Sequence, residues 1–117
     1  VHRIPEFIER AAPIVEAAFP GARPFPFGHM GDGNIHYNVS QPAGMASEEF
    51  LAERARVQDA VHALVTGMDG SISAEHGIGR LKRDLLARTK NPAALAMMRA
   101  IKQALDPNSI MNPGKVV

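Results

Sequence analysis

The strongest constraint on the fold is a tight turn between two extended segments. The dipeptide Asp32-Gly33 is a preferred two-residue turn, because both central residues of a type I′ turn adopt positive φ. Residues 23–29 before it contain prolines and are typical of an edge or irregular strand. Residues 34–41 (NIHYNVSQ) follow as a second strand. The pattern predicts an antiparallel β-hairpin centred on Asp32-Gly33.

This hairpin would bring two histidines together. Counted outward from Asp32-Gly33, His29 lies opposite His36. Directly opposed residues point to the same face, with Cβ atoms roughly 4.5–5.5 Å apart, so the two imidazoles could share a metal ion. Asn38 would follow on that face. Alternatively, both are ordinary half-exposed strand residues, or a register shift of one residue separates the rings; we interpret Asp32 as a turn residue rather than a ligand.

A second candidate site lies in the segment SAEHGIG, residues 73–79. Glycines there allow the backbone to approach a ligand closely. Because adjacent side chains diverge, Glu75 could bind a metal while His76 faces a substrate. Two histidines and one carboxylate with open positions are a recurrent site for a divalent ion that also holds substrate. The alternative is a loop in which Glu75 caps the following helix and His76 has no function.

The remaining segments alternate between helical patterns and breaks. Apolar residues at helical spacing predict helices over residues 4–19, 47–68 and 92–105, the last capped by Asn91. A basic helix is predicted over residues 80–90. Residues 71–74 are predicted as a short strand or extended segment, and residues 106–117 as irregular. The order of these elements along the chain (helix, hairpin, helix, strand) is that of a βαββαβ arrangement without its first strand. We expect an α+β fold, a ferredoxin-like sandwich with its first strand truncated, followed by a C-terminal helical segment.

Composition restricts the kinds of partner. The 117 residues carry a formal net charge of +1, with acids and bases interleaved, so we expect neither nucleic acid nor a membrane surface as partner. No apolar run has the length of a membrane span and no secretory signal opens the chain. Cysteine is absent, which excludes thiolate ligands. A cytoplasmic setting fits, although other compartments stay open. Because the chain starts without Met, we expect an excised piece.

Three motifs occur in order along the chain: GHMGDGNIH, SISAEHGIGRLK and LDPNSIMNPGK. Together they resemble the C-terminal segment of FAD-linked oxidases of the vanillyl-alcohol-oxidase type. Within that family, the resemblance is to the branch of D-2-hydroxyglutarate dehydrogenases, D-lactate dehydrogenases and glycolate oxidase flavoprotein subunits. It covers essentially the whole chain. It implies that residues 1–117 are the substrate- and metal-binding cap portion, whereas the FAD-binding domain lies outside them.

The resemblance also implies residue roles and a reaction. It assigns ligands of a divalent metal, usually zinc, to His29, His36 and Glu75, a substrate contact to Asn38, the catalytic base to His76 and a position near the flavin ring to Asn112. The implied enzyme oxidises a D-2-hydroxy acid, most closely D-2-hydroxyglutarate, to the 2-oxo acid and passes electrons to an acceptor that is not identified.

Two alternatives to the function implied by the resemblance stay open. The first is the same chemistry on D-lactate or glycolate. The second, of another class, is a non-catalytic α+β metal-binding or interaction module. Since the basic residues that grip the substrate carboxylates lie upstream in the family, we expect this piece to be inactive by itself. The metal, the electron acceptor and the oligomeric state stay open, with a homodimer among the possibilities.

Overall fold

The computed structural model describes all residues from Val1 to Val117 as five α-helices and one two-stranded sheet. The helices are α1 (Ile4–Ala18), α2 (Ser47–Ala52), α3 (Arg54–Gly67), α4 (Arg83–Thr89) and α5 (Pro92–Leu105); the strands are β1 (Arg23–Phe27) and β2 (His36–Ser40). The chain divides into two compact units, Val1–Ile72 and Ser73–Val117. None of the helices combines the length and apolar character that a membrane crossing requires.

The mixed α+β class is confirmed, but a ferredoxin-like sandwich is not shown. Both strands lie in the first unit and pair only with each other. The segment 71–74, predicted as a short strand or extended segment, contains bends at Ile72 and Ala74 and no strand. A strand needs a second strand to pair with, and the sheet contains only β1 and β2.

The core of the first unit lies between α1, α3 and one face of the sheet. Its buried residues are Val15, Phe19, Ala22 and Val57, and Tyr37, Val39 and Phe50 pack around them. Helix α1 begins with Pro5 in its first turn and continues through Pro13. The single helix predicted over residues 47–68 is two helices, separated at Glu53.

The hairpin exists, but its predicted register is wrong. The strands pair Phe27 with His36 and Phe25 with Asn38, which leaves residues 28–35 as a longer loop. One turn of 3-10 helix, Met30–Asp32, occupies the loop and only Gly33 after it is left-handed, with φ 78°. Asp32 does not take the positive φ that a type I′ turn needs, so the chain folds into a helical turn instead.

The second unit consists of α4, α5 and an irregular C-terminal segment. The predicted start of α5 is confirmed, since the Asn91 side chain accepts a hydrogen bond from the Ala93 N–H at 2.8 Å and Pro92 lies in the first turn. Residues 106–117 contain no helix or strand. Their anchor is Asp106, which is buried directly after α5.

Candidate functional site

The first unit brings the two histidines of the hairpin side by side. His36 opens β2, and His29 lies in the loop two residues beyond the end of β1. Their ring centroids are 6.3 Å apart and the rings meet edge to face at 81°. The loop brings His29 next to His36. The two residues are not paired across the strands, because the residue opposite His36 is Phe27.

Asn38 shares the outer face of the sheet with His36. Tyr37 and Val39 pack towards the core, so the alternate residues His36 and Asn38 face away from it. Asn38 is exposed and lies opposite Phe25 on β1. An amide and an imidazole are therefore presented two residues apart on one open surface, where a small polar ligand can reach both.

Sequence reasoning missed two aromatic side chains on this face. Phe27 stacks on His36, with centroids 5.2 Å apart and ring planes inclined by 14°. The guanidinium of Arg23 lies 5.7 Å from the centroid of the Phe25 ring, within the usual range of a cation–π contact. The alternation RPFPF signals two aromatic rings on one strand face, but it does not say that this face also carries the histidines.

The donor set of the first unit fits part of a metal site. Imidazole nitrogens are preferred ligands of Zn²⁺ and similar divalent ions, and His29 and His36 offer two of them within one small region. No group of three or more His, Asp or Glu side chains that could hold a metal ion is found in either unit. The third predicted ligand, Glu75, belongs to the second unit.

Glu75 and His76 lie on an exposed bend at the start of the second unit. The Ser73 hydroxyl donates a hydrogen bond to the Gly77 carbonyl at 2.6 Å, which closes a loop around the pair, and Gly77 adopts φ 75°. Helix α4 begins only at Arg83 and its N-cap residue is Lys82, so Glu75 is not the N-cap residue of that helix. The bend leaves both side chains accessible for chemistry.

Asn112 lies in a pocket of the second unit. It adopts φ 47° and lines a cavity of about 460 Å³ together with Gly79, Lys102, Met111, Lys115, Val116 and Val117. The Val116 N–H donates to the Gly79 carbonyl at 3.0 Å, and Arg83 donates to the Gly114 carbonyl at 3.3 Å. These contacts fasten the motif NPGK beside the end of the EHGIG segment.

Comparison with known proteins identifies the class of protein to which this chain belongs. Residues 1–116 match the family described as FAD linked oxidases, C-terminal domain. With the whole chain but its last residue covered, the chain belongs to this family, and the resemblance inferred from the three motifs is confirmed.

The curated relatives are dehydrogenases of 2-hydroxy acids. A D-2-hydroxyglutarate dehydrogenase of Stutzerimonas stutzeri is 43% identical over 116 residues, which are 99% of this chain and 25% of the relative. A D-lactate dehydrogenase of Anaerostipes hadrus is 45% identical over 91 residues, 77% of this chain and 19% of the relative. The mitochondrial D-2-hydroxyglutarate dehydrogenase of Bos taurus is 43% identical over 91 residues, which are 78% of this chain and 16% of the relative. This chain thus spans a quarter or less of these relatives.

Proposed function

We propose that this chain is the substrate- and metal-binding cap portion of a flavin-dependent dehydrogenase. The enzyme oxidises a D-2-hydroxy acid to the 2-oxo acid, and D-2-hydroxyglutarate is the preferred candidate substrate. One observation carries the proposal: His29, in the loop, lies beside His36, which shares its sheet face with Asn38. The similarity to D-2-hydroxyglutarate dehydrogenases over 99% of the chain supports the choice of substrate.

Each predicted site residue has a role in the proposed reaction. His29 and His36, with Glu75 as the third ligand in the whole protein, would hold a divalent metal ion, with zinc the first choice. Asn38 would hydrogen-bond the substrate through its side-chain amide. His76 would accept the proton of the C2 hydroxyl through an imidazole nitrogen, while the hydride on C2 leaves for the flavin and C2 becomes a carbonyl carbon. Asn112 would lie near the flavin ring.

The rest of the chemistry would come from the bound groups: a divalent metal would supply a Lewis acid for the hydroxy acid, and FAD would supply the acceptor of the hydride. General-base assistance of the kind assigned to His76 typically contributes about 10²–10⁴-fold to a rate. The exposed position of His76 on its bend supports this role, because a base must reach a proton on a bound substrate.

A ferredoxin-like sandwich is also proposed for the whole protein. The first unit combines a two-stranded sheet with α1 and α3 packed against one another, an arrangement that would be part of a ferredoxin-like sandwich. We propose that strands from the rest of the protein complete this sheet.

The test uses the full-length protein with an artificial electron acceptor and a panel of D-2-hydroxyglutarate, D-lactate and glycolate. We expect His76→Ala to lower turnover by about 10²–10⁴-fold with metal content unchanged, and His36→Ala to empty the metal site. His2→Ala is the matched control, because His2 is an exposed histidine outside the site; it should change neither quantity.

Three outcomes contradict parts of the proposal. Loss of metal together with turnover in His76→Ala would mean that His76 is a metal ligand and not the base, so that the roles of Glu75 and His76 are exchanged. Turnover of D-lactate or glycolate in preference to D-2-hydroxyglutarate would keep the chemistry and replace the substrate. A protein that binds no flavin and oxidises none of the three acids would be the non-catalytic module.

A further inference from the structure

One face of the His36 ring is covered by an aromatic side chain. Phe27 lies directly opposite His36 in the strand register, and its ring stacks on the imidazole at 5.2 Å with planes inclined by 14°. Phe27 is 52% exposed, so burial in the core does not explain the position of its ring. Its most specific contact is with the imidazole of His36.

The neighbouring glycine removes an obstacle next to the same imidazole. A Cβ on Gly28 would lie 2.6 Å from the carbonyl oxygen of Asn34 and 3.2 Å from His36 Cδ2. Gly28 also has φ +143°, a conformation that L-amino acids with side chains rarely adopt. Any other residue at this position would push the 28–35 loop away from His36.

We propose that Phe27 and Gly28 are positioning residues for His36 and thereby set the affinity of the site for a divalent metal ion. Phe27 fixes the plane of the imidazole from one side, and Gly28 lets the loop that carries His29 close on it. A ligand whose ring is already oriented loses less conformational freedom when it binds a metal, and supporting contacts of this kind typically contribute 10- to 100-fold to metal affinity. The inference rests on the proposed function in taking His36 as a ligand.

The experiment measures the zinc affinity of the full-length protein by competition with a chelator of known affinity. Phe27→Leu keeps an apolar side chain and removes the ring, and we expect it to weaken zinc binding by about tenfold, the low end of such supporting effects. Phe27→Tyr keeps the ring and should restore an affinity close to that of the wild type. Gly28→Ala should weaken zinc binding at least as strongly as Phe27→Leu.

The matched control is Phe25→Leu. Phe25 is on the same strand and the same face and is 49% exposed, but it lies opposite Asn38 instead of His36, so its replacement should leave zinc affinity unchanged. A second readout is independent of affinity. With ¹³C-labelled histidine, the ring-current shift of the His36 ring protons should disappear in Phe27→Leu and persist in Phe27→Tyr and Phe25→Leu.

The outcomes separate this inference from the proposed function. Wild-type zinc affinity in Phe27→Leu, together with loss of zinc in His36→Ala, would overturn the positioning role and leave the proposed function in place. Equal weakening by Phe25→Leu and Phe27→Leu would also overturn it, since the effect would then belong to the whole face. Unchanged zinc affinity in His36→Ala would overturn the proposed metal site itself.

Discussion

The ammonium of Lys102 donates a hydrogen bond to the carboxylate of Asp106, a charged side chain that is only 3% exposed. The same carboxylate accepts hydrogen bonds from the backbone N–H groups of Ile110 at 2.9 Å and Met111 at 3.0 Å. Lys102 also donates to the Met111 carbonyl at 2.6 Å. The end of α5 is thereby tied to the loop that leads directly to Asn112.

The first prediction concerns the loss of this charge. Asp106→Asn should speed hydrogen exchange of the Ile110 and Met111 amides by roughly tenfold or more, because hydrogen bonds to a charged acceptor contribute more than neutral ones. Asp84→Asn is the control, since Asp84 is 89% exposed and its contact with Arg83 is 3.5 Å long. Unchanged exchange in Asp106→Asn would show that the loop is held by other contacts.

The second prediction gives the pH dependence of the same carboxylate. The hydrogen bond from Lys102, and then those from Ile110 and Met111, hold the pKa of Asp106 below its usual range despite its burial. A lowered pKa in the folded state stabilises the protein at pH values above the unfolded-state pKa, about 3.9 for Asp. This contribution should fall away as the pH drops below about 4 and vanish once the folded carboxyl is protonated.

Thermal unfolding of the wild type and Asp106→Asn between pH 7 and pH 2.5 checks the sign. The difference in Tm should be constant at neutral pH and should shrink at the acid end. A difference that grows on acidification would mean that the pKa of Asp106 is raised instead.

The third prediction concerns the hydroxyl of Tyr37. Its oxygen is buried without a hydrogen-bond partner, and burial raises the pKa of this phenol. The ring packs edge to face on Phe7 at 5.4 Å. Tyr37→Phe should leave the free energy of unfolding in urea unchanged or raise it by up to about 1 kcal/mol, because an unsatisfied buried hydroxyl carries a desolvation cost.

Tyr37→Leu is the companion variant for this test. It removes the ring that contacts Phe7 as well as the hydroxyl, and should destabilise the protein. If Tyr37→Phe were the more destabilising of the two, the hydroxyl would have to form a hydrogen bond in solution.

The fourth prediction tests the core of the first unit. Val15 is fully buried between Phe19, Ala22 and Val57. Val15→Ala should lower the free energy of unfolding by about 2 kcal/mol, since it removes buried methyl groups and leaves a cavity. Leu51→Ala is the matched control, because Leu51 is 59% exposed. Equal effects of the two substitutions would contradict the location of the core.

Local chemistry explains which elements the sequence predicted correctly. Asn91 followed by Pro92 starts α5 because the cap and the fixed φ of proline act within one turn. The two strands on either side of a Gly-containing turn were also predicted correctly, because the turn residues are local in sequence. The register was not, because the choice between a type I′ turn and the 3-10 turn at Met30–Asp32 depends on the whole loop. The structure assigns no strand to residues 71–74, because a strand depends on pairing that local sequence does not specify.

By itself, the sequence determined the α+β class, the start of α5 and, through its three motifs, the family of FAD-linked oxidases. Only the tertiary structure decided that Phe27 lies on the ring of His36 and that His29 reaches the same ring through a loop. These features join residues that are distant along the chain or depend on loop conformation, and side-chain packing fixes them. The local sequence pattern predicts helix caps and the periodicity of helices and strands, but it does not predict such contacts.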